Sequence, residues 1–402
     1  MEATVLNMED TLPEILKEQI GTLWIALKFT GIIPFSNSRQ KVSRYVYIKA
    51  CELFFPFLLL CNLIYCWYVT MKGNAFAYPV FLDSLIPLFT NILWCFMYLR
   101  RNSLRNFMNG LANSTLTAST PKNRYLPLTV KAALCFAMIY PPFLMSLRFF
   151  QNNKVETIDM FRYLQEIIFP SIVTLLYTTI CYVLLQNVRS CKNMIHTKLD
   201  ITCHMAVKNF RNIYLSIIKD AEMFEDSFSC VAFIVILKNF CVVSYIMTDM
   251  MNDPYWIKGN SLEASFYLAF NLLSTGALTA YAASIPLEML NIKSMLLDKL
   301  SEQSLDDRWF VNGKQLRLLL RRRVCTLTAC GMFSFDRGFL PKALATVIAH
   351  LVAFDHLQLT CTTSSQQVRC MMTSFLPLKL VTNLRSCRVK LAASLQSKTA
   401  AN

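Results

Sequence analysis

Charged residues and glycines are both scarce in this chain of 402 residues. Asp, Glu, Lys and Arg make up 16% of it, whereas soluble proteins average about 25%. The 9 glycines are too few and too scattered to form a Gly/Ser linker. By contrast, 54% of the residues are hydrophobic. This composition argues against an ordinary soluble domain and favours a membrane protein.

The motifs that carry catalysis are also missing. The chain has 4 histidines, and none has the spacing of the H-E-x-x-H zinc motif. It lacks a P-loop and the G-x-S-x-G motif of serine hydrolases. The 15 cysteines form no zinc-ligand pattern, and many lie in apolar runs, where cysteine acts as a small hydrophobic residue. We therefore expect no enzyme activity, no cofactor, no metal site and no nucleic-acid partner.

Long apolar runs fill most of the chain. A helix of about 20 apolar residues crosses the hydrocarbon core of a bilayer, which is about 30 Å thick. Seven spans are predicted, at Ala50–Met71, Ala77–Tyr98, Thr129–Phe149, Tyr163–Gln186, Ser227–Thr248, Glu263–Pro286 and Phe339–Leu359. We therefore predict an all-α, polytopic membrane protein. Its parts are an N-terminal segment at 1–45, a seven-helix domain at 46–360 and an atypical basic tail at 361–402.

The seventh span is the least apolar of the set. It contains His350, Asp355 and His356. Ionisable groups are costly at membrane depth, so they usually face a bundle interior or a water-filled path. We therefore expect this segment to line a water-filled path.

Basic residues are concentrated on one side of the spans. Four predicted inner segments hold 24 Lys and Arg, whereas three predicted outer connections hold 4. The inner segments are 1–45, 99–128, 187–226 and 289–324, and the outer ones are 72–76, 150–162 and 249–262. Basic loops stay in the cytoplasm. The N-terminus is therefore predicted to be cytoplasmic, and the sequon at Asn113 to be unglycosylated.

The tail conflicts with this pattern. With seven spans it lies outside, yet it holds six basic residues and no acidic one after residue 359. Three explanations stay open: the tail is an exception, the seventh segment does not cross, or the tail is not native to this fold.

The predicted inner connections have helical spacing of apolar residues. Between Arg189 and Asp226, apolar side chains recur at the period of an α-helix. We expect the fourth, fifth and sixth helices to extend past the membrane into an intracellular anchor, joined by 316–324. The run Arg321-Arg322-Arg323 predicts either contact with anionic membrane lipid or contact with another subunit.

Polar and aromatic side chains recur in the predicted outer halves of the spans, an arrangement suited to holding a small molecule. They are Trp67, Tyr78, Asp83, Tyr140, Arg148, Tyr163, Glu166, Tyr177, Asn239, Tyr245, Tyr267 and Asn271. All except Trp67, Arg148, Tyr163 and Tyr245 are our candidate ligand contacts. Asp83 and Lys238 are the most costly of the nearby groups to bury.

Two short motifs resemble those of insect gustatory receptors. Thr328 to Leu340 reads TACGMFSFDRGFL, which is similar to the stretch leading into the last helix of that family. Gly31-Ile32-Ile33-Pro34, ahead of a basic patch, is similar to the family's N-terminal region. The family's Thr-Tyr pair in the last helix is replaced here by Ala349-His350.

The resemblance implies a ligand-gated, non-selective cation channel that detects a tastant. Such a channel has four identical or related subunits, with the last helix lining a central pore. By this resemblance, His350, Leu351 and Phe354 are pore or gate candidates. Gly331, Phe333, Asp336 and Arg337 belong to the hinge or anchor.

Two other classes remain open. A G-protein-coupled receptor also has seven spans and an outward ligand site, but it needs an extracellular N-terminus. A secondary transporter commonly has paired repeats with broken helices, and no such repeat is visible.

Overall fold

The computed structural model describes residues 14–33, 42–72, 78–117, 125–152, 163–197, 199, 203–252, 261–302, 309–336 and 338–349. These residues are almost entirely helical. The helices are α1 Glu14–Phe29, α2 Val42–Lys72, α3 Tyr78–Leu99, α4 Arg101–Thr117, α5 Leu126–Asn152, α6 Phe169–Thr197, α7 His204–Asn252, α8 Ser261–Glu302, α9 Trp309–Arg321 and α10 Phe339–Ala349. A π-helical turn, Leu164–Ile168, leads directly into α6.

A short hairpin precedes α10. Strand β1, Thr328–Ala329, pairs antiparallel with β2, Phe333–Ser334. We call residues 328–334 the hairpin. It stands between α9 and α10, where the chain turns back toward the bundle.

The helices follow the predicted spans. Five of them, α3, α5, α6, α7 and α8, are long and apolar enough to cross a membrane. Helices α2 and α10 contribute the shorter apolar stretches Leu53–Val69 and Phe339–Ala349. The predicted gate residues His350, Leu351 and Phe354 lie outside the described residues, as do the tail at 361–402 and Arg337.

The helices differ in how much of their surface is buried, and α6 is the most central of those compared. In α6, 72% of the most apolar window is buried inside the bundle, against 28% in α5. Large apolar side chains such as Phe54 and Phe57 of α2 are more than half exposed. Such a surface is a liability in water, whereas in a bilayer it faces lipid tails. The exposed apolar faces therefore agree with a membrane protein.

Helices α7 and α8 are far longer than their predicted spans, and α6 continues past its predicted span to Thr197, as expected for a bundle that extends beyond the membrane. With 49 residues and a rise of 1.5 Å per residue, α7 is about 70 Å long. The extensions are joined by polar contacts. Lys192 Nζ of α6 lies 3.2 Å from Glu288 Oε2 of α8. Lys293 Nζ of α8 donates to the carbonyl oxygen of Leu320 in α9 at 3.0 Å.

Two further helices were not predicted. The end of α1 is fixed to α3 because Trp94 Nε1 donates to the carbonyl oxygen of Thr30 at 2.9 Å. Helix α4 is joined to α7 by the hydroxyls of Ser103 and Ser227, 3.1 Å apart.

Candidate functional site

One end of the bundle holds a group of buried aromatic and polar side chains. Consecutive spans run in opposite directions, so α5 and α7 end where α6 and α8 begin. The side chains that meet there are Tyr140, Tyr163, Glu166, Lys238, Asn239, Glu263, Tyr267 and Asn271, which we call the aromatic–polar cluster. Apolar neighbours such as Ile86, Leu144 and Val242 enclose it. These residues form a second core, separate from the main one.

Tyrosine rings form the aromatic part of this cluster. The Tyr140 ring stacks on Phe270 with centroids 4.5 Å apart. Its hydroxyl donates to the carbonyl oxygen of Phe266 at 2.5 Å. Tyr163 meets the edge of Tyr267 at 6.0 Å, and its hydroxyl donates to Glu263. Each ring is thus oriented by an aromatic neighbour or a hydrogen bond.

Charged and amide groups form the rest of the cluster. Lys238 is 3% exposed, and its Nζ donates to Asn271 Oδ1 at 3.4 Å. Glu166, 2% exposed, is close enough to attract the lysine electrostatically. Asn239 Nδ2 donates to Thr275 Oγ1 at 2.9 Å, and Asn271 Nδ2 donates to the carbonyl oxygen of Tyr267 at 2.7 Å. A buried charge is costly unless it is paired and hydrogen-bonded, and the bond to Asn271 and the attraction of Glu166 offset part of that cost for Lys238.

The backbone around Glu166 departs from an ordinary α-helix. Glu166 lies in the π-helical turn Leu164–Ile168. π-Helical turns within α-helices are rare and frequently occur at functional sites. The turn therefore adds a second reason to regard this end of α6 as a site.

The structure brings together five of the eight candidate ligand contacts: Tyr140, Glu166, Asn239, Tyr267 and Asn271. Asp83 is partly buried on α3, one turn before Ile86, which is one of the apolar neighbours that enclose the cluster. Tyr78 is the first residue of α3, and its side chain is outside what the structure describes. Tyr177 lies elsewhere, in the main core, 4.9 Å from the Phe224 ring.

Three members of the cluster, Tyr163, Lys238 and Glu263, are not among the predicted ligand contacts. Lys238 stood out as a lysine in the middle of an apolar run, which is a detectable signal. The sequence signal for Glu263 is weaker, because Glu263 is the first residue of a predicted span, where a glutamate is equally expected to face water.

A cavity of about 290 Å³ lies in another part of the bundle, between α5, α6 and α8. Its walls include Tyr125, Thr129, Thr178, Tyr182 and Tyr281. None of the predicted ligand contacts whose side chains the structure describes lines it. The sequence contained no signal for this cavity, because its lining comes from three separate helices.

The hairpin is fastened to α7 and to α10. The Glu225 carboxylate accepts from the Thr328 amide at 3.0 Å and from the Thr328 hydroxyl. Phe333 stacks on Phe339 at 4.7 Å, and Phe233 of α7 lies 6.1 Å from Phe333. These rings connect α7 to the start of α10.

The other hinge candidates lie nearby. The carbonyl oxygen of Asp336 accepts from the amide of Phe339 at 3.2 Å at the start of α10. The Asp336 carboxylate pairs with Lys342 at 3.1 Å. Gly331, at the tip of the hairpin, has φ of +68°, a conformation that favours glycine.

The fold is that of insect olfactory receptors. The chain matches the structure of the olfactory receptor OR5 from Machilis hrabei with a TM-score of 0.62 and 10% identity, over 84% of this chain and 98% of that one. It matches OR5 in complex with eugenol with a TM-score of 0.66 and 11% identity, over 85% and 98% of the two chains. At these identities the likeness shows the fold alone. The predicted all-α, seven-helix membrane fold is thereby confirmed.

The sequence itself carries a family signature. No curated protein matches the chain. A family model described as 7tm Chemosensory receptor, however, matches residues 20–354. The match covers most of the chain, including the hairpin and the described part of α10, and stops before the basic tail. The chain therefore belongs to the 7tm chemosensory receptor family, and is a multi-pass membrane receptor and not an enzyme.

Proposed function

We propose that this receptor is a gustatory receptor of the plasma membrane that works as a ligand-gated, non-selective cation channel for a small-molecule tastant. The observation that carries the proposal is the aromatic–polar cluster, in which Lys238, Glu166 and Asn271 are buried together within the membrane part of the bundle. Buried ionisable groups at membrane depth are expensive and usually functional. A purely structural core would be served by apolar residues.

The chemistry of the cluster suits a small polar or amphipathic ligand. Tyrosine rings supply apolar contact area, while amides and charged groups supply directional hydrogen bonds. The OR5 structure in complex with eugenol supports the expectation that this fold holds a small molecule. The ligand would open the channel by binding the open state more tightly than the closed one.

The channel would be a tetramer of this chain, alone or with related subunits. In this proposal α10 and its continuation line the pore, with His350, Leu351 and Phe354 as gate candidates. The extended ends of α6, α7 and α8, with α9, form the cytoplasmic anchor. The exposed Arg321, Arg322 and Arg323 face inner-leaflet lipid or a neighbouring subunit. The unit at 46–360 is the working receptor, and the tail at 361–402 is an addition to it.

Expression of the receptor alone in cells, with a panel of tastants and eugenol, tests this function. A responding ligand should evoke cation current in the wild type. Asn271→Ala should raise the half-maximal ligand concentration about fivefold or more, since it removes buried hydrogen bonds worth about 1–3 kcal/mol. Asn291→Ala is the matched control, because Asn291 lies on the same helix with an exposed side chain. Equal shifts in both variants would remove the cluster from the ligand site.

Epitope tags separate this proposal from a G-protein-coupled receptor. A tag at the N-terminus should be detected only after the cells are permeabilised. Detection on intact cells would favour the G-protein-coupled alternative.

A further inference from the structure

Two cysteines that are far apart in sequence meet where the hairpin docks on α7. Sγ of Cys230 in α7 lies 3.3 Å from Sγ of Cys330 at the hairpin tip. A disulfide bond is about 2.05 Å long. The two sulfurs therefore need to approach each other by only about 1.2 Å to bond.

The backbone holds these sulfurs in position. The Cys330 amide donates to Ser229 Oγ at 2.7 Å and to the carbonyl oxygen of Ser229 at 3.2 Å. Ser229 Oγ donates in turn to the carbonyl oxygen of Thr328 at 3.0 Å. Ser229 is the residue before Cys230, so these bonds hold Cys330 next to the Cys230 thiol.

Cysteine is an unusual residue for this turn. Cys330 has φ of +55°, and Gly331 beside it has φ of +68°. Turns with positive φ at both central residues favour Asn, Asp and Gly. A left-handed conformation costs a residue with a Cβ about 1–2 kcal/mol. The cost is accepted here at a position from which the thiol reaches Cys230.

A small oxidant has access to the pair. Both cysteines are partly exposed. Gly331 is exposed, and a Cβ built on it would meet no atom within 4 Å. The hairpin tip is therefore open on the side away from α7.

We propose that Cys230 and Cys330 form an oxidative modification site, at which hydrogen peroxide joins them in a reversible disulfide that fastens the hairpin to α7. The Cys330 thiolate attacks one peroxide oxygen, the O–O bond breaks, and the products are a sulfenic acid and hydroxide, which is protonated to water. The Cys230 thiolate then attacks the Cys330 sulfur, and hydroxide leaves as a second water after protonation. Two thiols lose two electrons and two protons, and one peroxide is reduced to two waters.

The disulfide would act on the helix that follows the hairpin. Phe333 of the hairpin stacks on Phe339 of α10, so a hairpin fixed to α7 restrains the start of α10. This consequence rests on the proposed channel function. In a working channel we expect oxidation to lower the ligand-evoked current about threefold or more by biasing the equilibrium against opening, and a reducing agent to restore it.

Mass spectrometry of the full-length receptor in cell membranes tests the modification directly. Membranes are treated with hydrogen peroxide, quenched in acid, alkylated and digested. We expect a peptide pair cross-linked through Cys230 and Cys330, which disappears after treatment with dithiothreitol. Sulfinic or sulfonic acids on either cysteine with no cross-linked pair would overturn the proposal.

Substitutions and a nearby thiol supply the controls. Cys230→Ser and Cys330→Ser should each abolish the cross-linked pair, and should make the current insensitive to peroxide. Burial raises the pKa of Cys325 to about 12, so this neighbouring thiol stays protonated, and Cys325→Ser should leave the cross-link intact. The wild-type measurement does not depend on the folding of any variant. It also does not depend on conduction, so a receptor that cross-links on oxidation but carries no ligand-evoked current even in its reduced form would contradict the channel proposal alone.

Discussion

Nζ of Lys238 in α7 donates a hydrogen bond to Oδ1 of Asn271 in α8 at 3.4 Å, where the two residues are 3% and 1% exposed. A cation is thus buried at membrane depth and joined to the neighbouring helix through an amide. Glu166, from the π-helical turn before α6, supplies the opposite charge. Three helices therefore share one polar centre. If ligand binding moves any of them, this centre must adjust.

Removing one charge of this centre should destabilise the receptor. Lys238→Met removes the hydrogen bond to Asn271 and the attraction between Lys238 and the buried Glu166 carboxylate; loss of one partner of a buried ion pair costs about 3–5 kcal/mol, which is the upper bound here. We expect a lower melting temperature in detergent, measured by fluorescence-detected gel filtration. The double variant Lys238→Met with Glu166→Gln should lose less than the two single variants combined. Strict additivity would show that the two charges do not interact.

Two substitutions of Tyr140 distinguish the contribution of ring packing to ligand binding from that of hydrogen bonding. Tyr140→Phe loses only the bond to the carbonyl of Phe266 and keeps the stacking on Phe270, so the half-maximal ligand concentration should change by no more than about tenfold, in keeping with a neutral bond worth about 0.5–1.5 kcal/mol. Tyr140→Ala also loses the ring, and should raise that concentration about tenfold or more. Phe150→Ala, on the same helix with 80% of the residue exposed, is the control. A ligand response that ignores both Tyr140 variants would place the ligand elsewhere.

The docking of the hairpin depends on Glu225. Glu225→Gln weakens the charge-assisted bonds to Thr328, which are worth about 1.5–3 kcal/mol. We expect altered ligand-evoked current at unchanged surface expression, measured by patch clamp and surface biotinylation. Asp226→Asn, at the neighbouring exposed position, should behave as wild type. Identical currents in all three proteins would separate the hairpin from gating.

Substitutions at Gly276 test the contact between α8 and α10. A Cβ at this position would lie 3.5 Å from Leu340 Cδ2, which is an ordinary van der Waals contact. Gly276→Ala should therefore be tolerated. Gly276→Phe should displace α10 and reduce current at least about tenfold, since closely packed interfaces do not accommodate a large side chain without strain. Full current in Gly276→Phe would show that α10 does not need this contact.

The fold was largely predictable because a bilayer imposes strong rules on sequence. Apolar runs of fixed length placed α2, α3, α5, α6, α7 and α8, and helical spacing predicted the extension of α6 and α7. Helices α1 and α4 were missed because their sequences are amphipathic, without long apolar runs. Their burial comes from packing against the spans, as when Trp94 reaches Thr30.

The site was predictable only in part. Convergence of Tyr140, Glu166, Asn239, Tyr267 and Asn271 followed from placing polar residues in the same halves of antiparallel spans. Tyr177 lies in the main core instead, since depth in the membrane does not specify which face of a helix a residue occupies. The meeting of Cys230 with Cys330 could not be foreseen, because it depends on the tertiary docking of the hairpin on α7.

The most direct test of the account is electrical recording from the purified receptor in liposomes that contain no other protein. We predict that a responding tastant opens a cation-permeable conductance, and that Asn271→Ala shifts its concentration dependence while Asn291→Ala does not. A ligand that binds the purified receptor without ever opening a conductance would contradict the account.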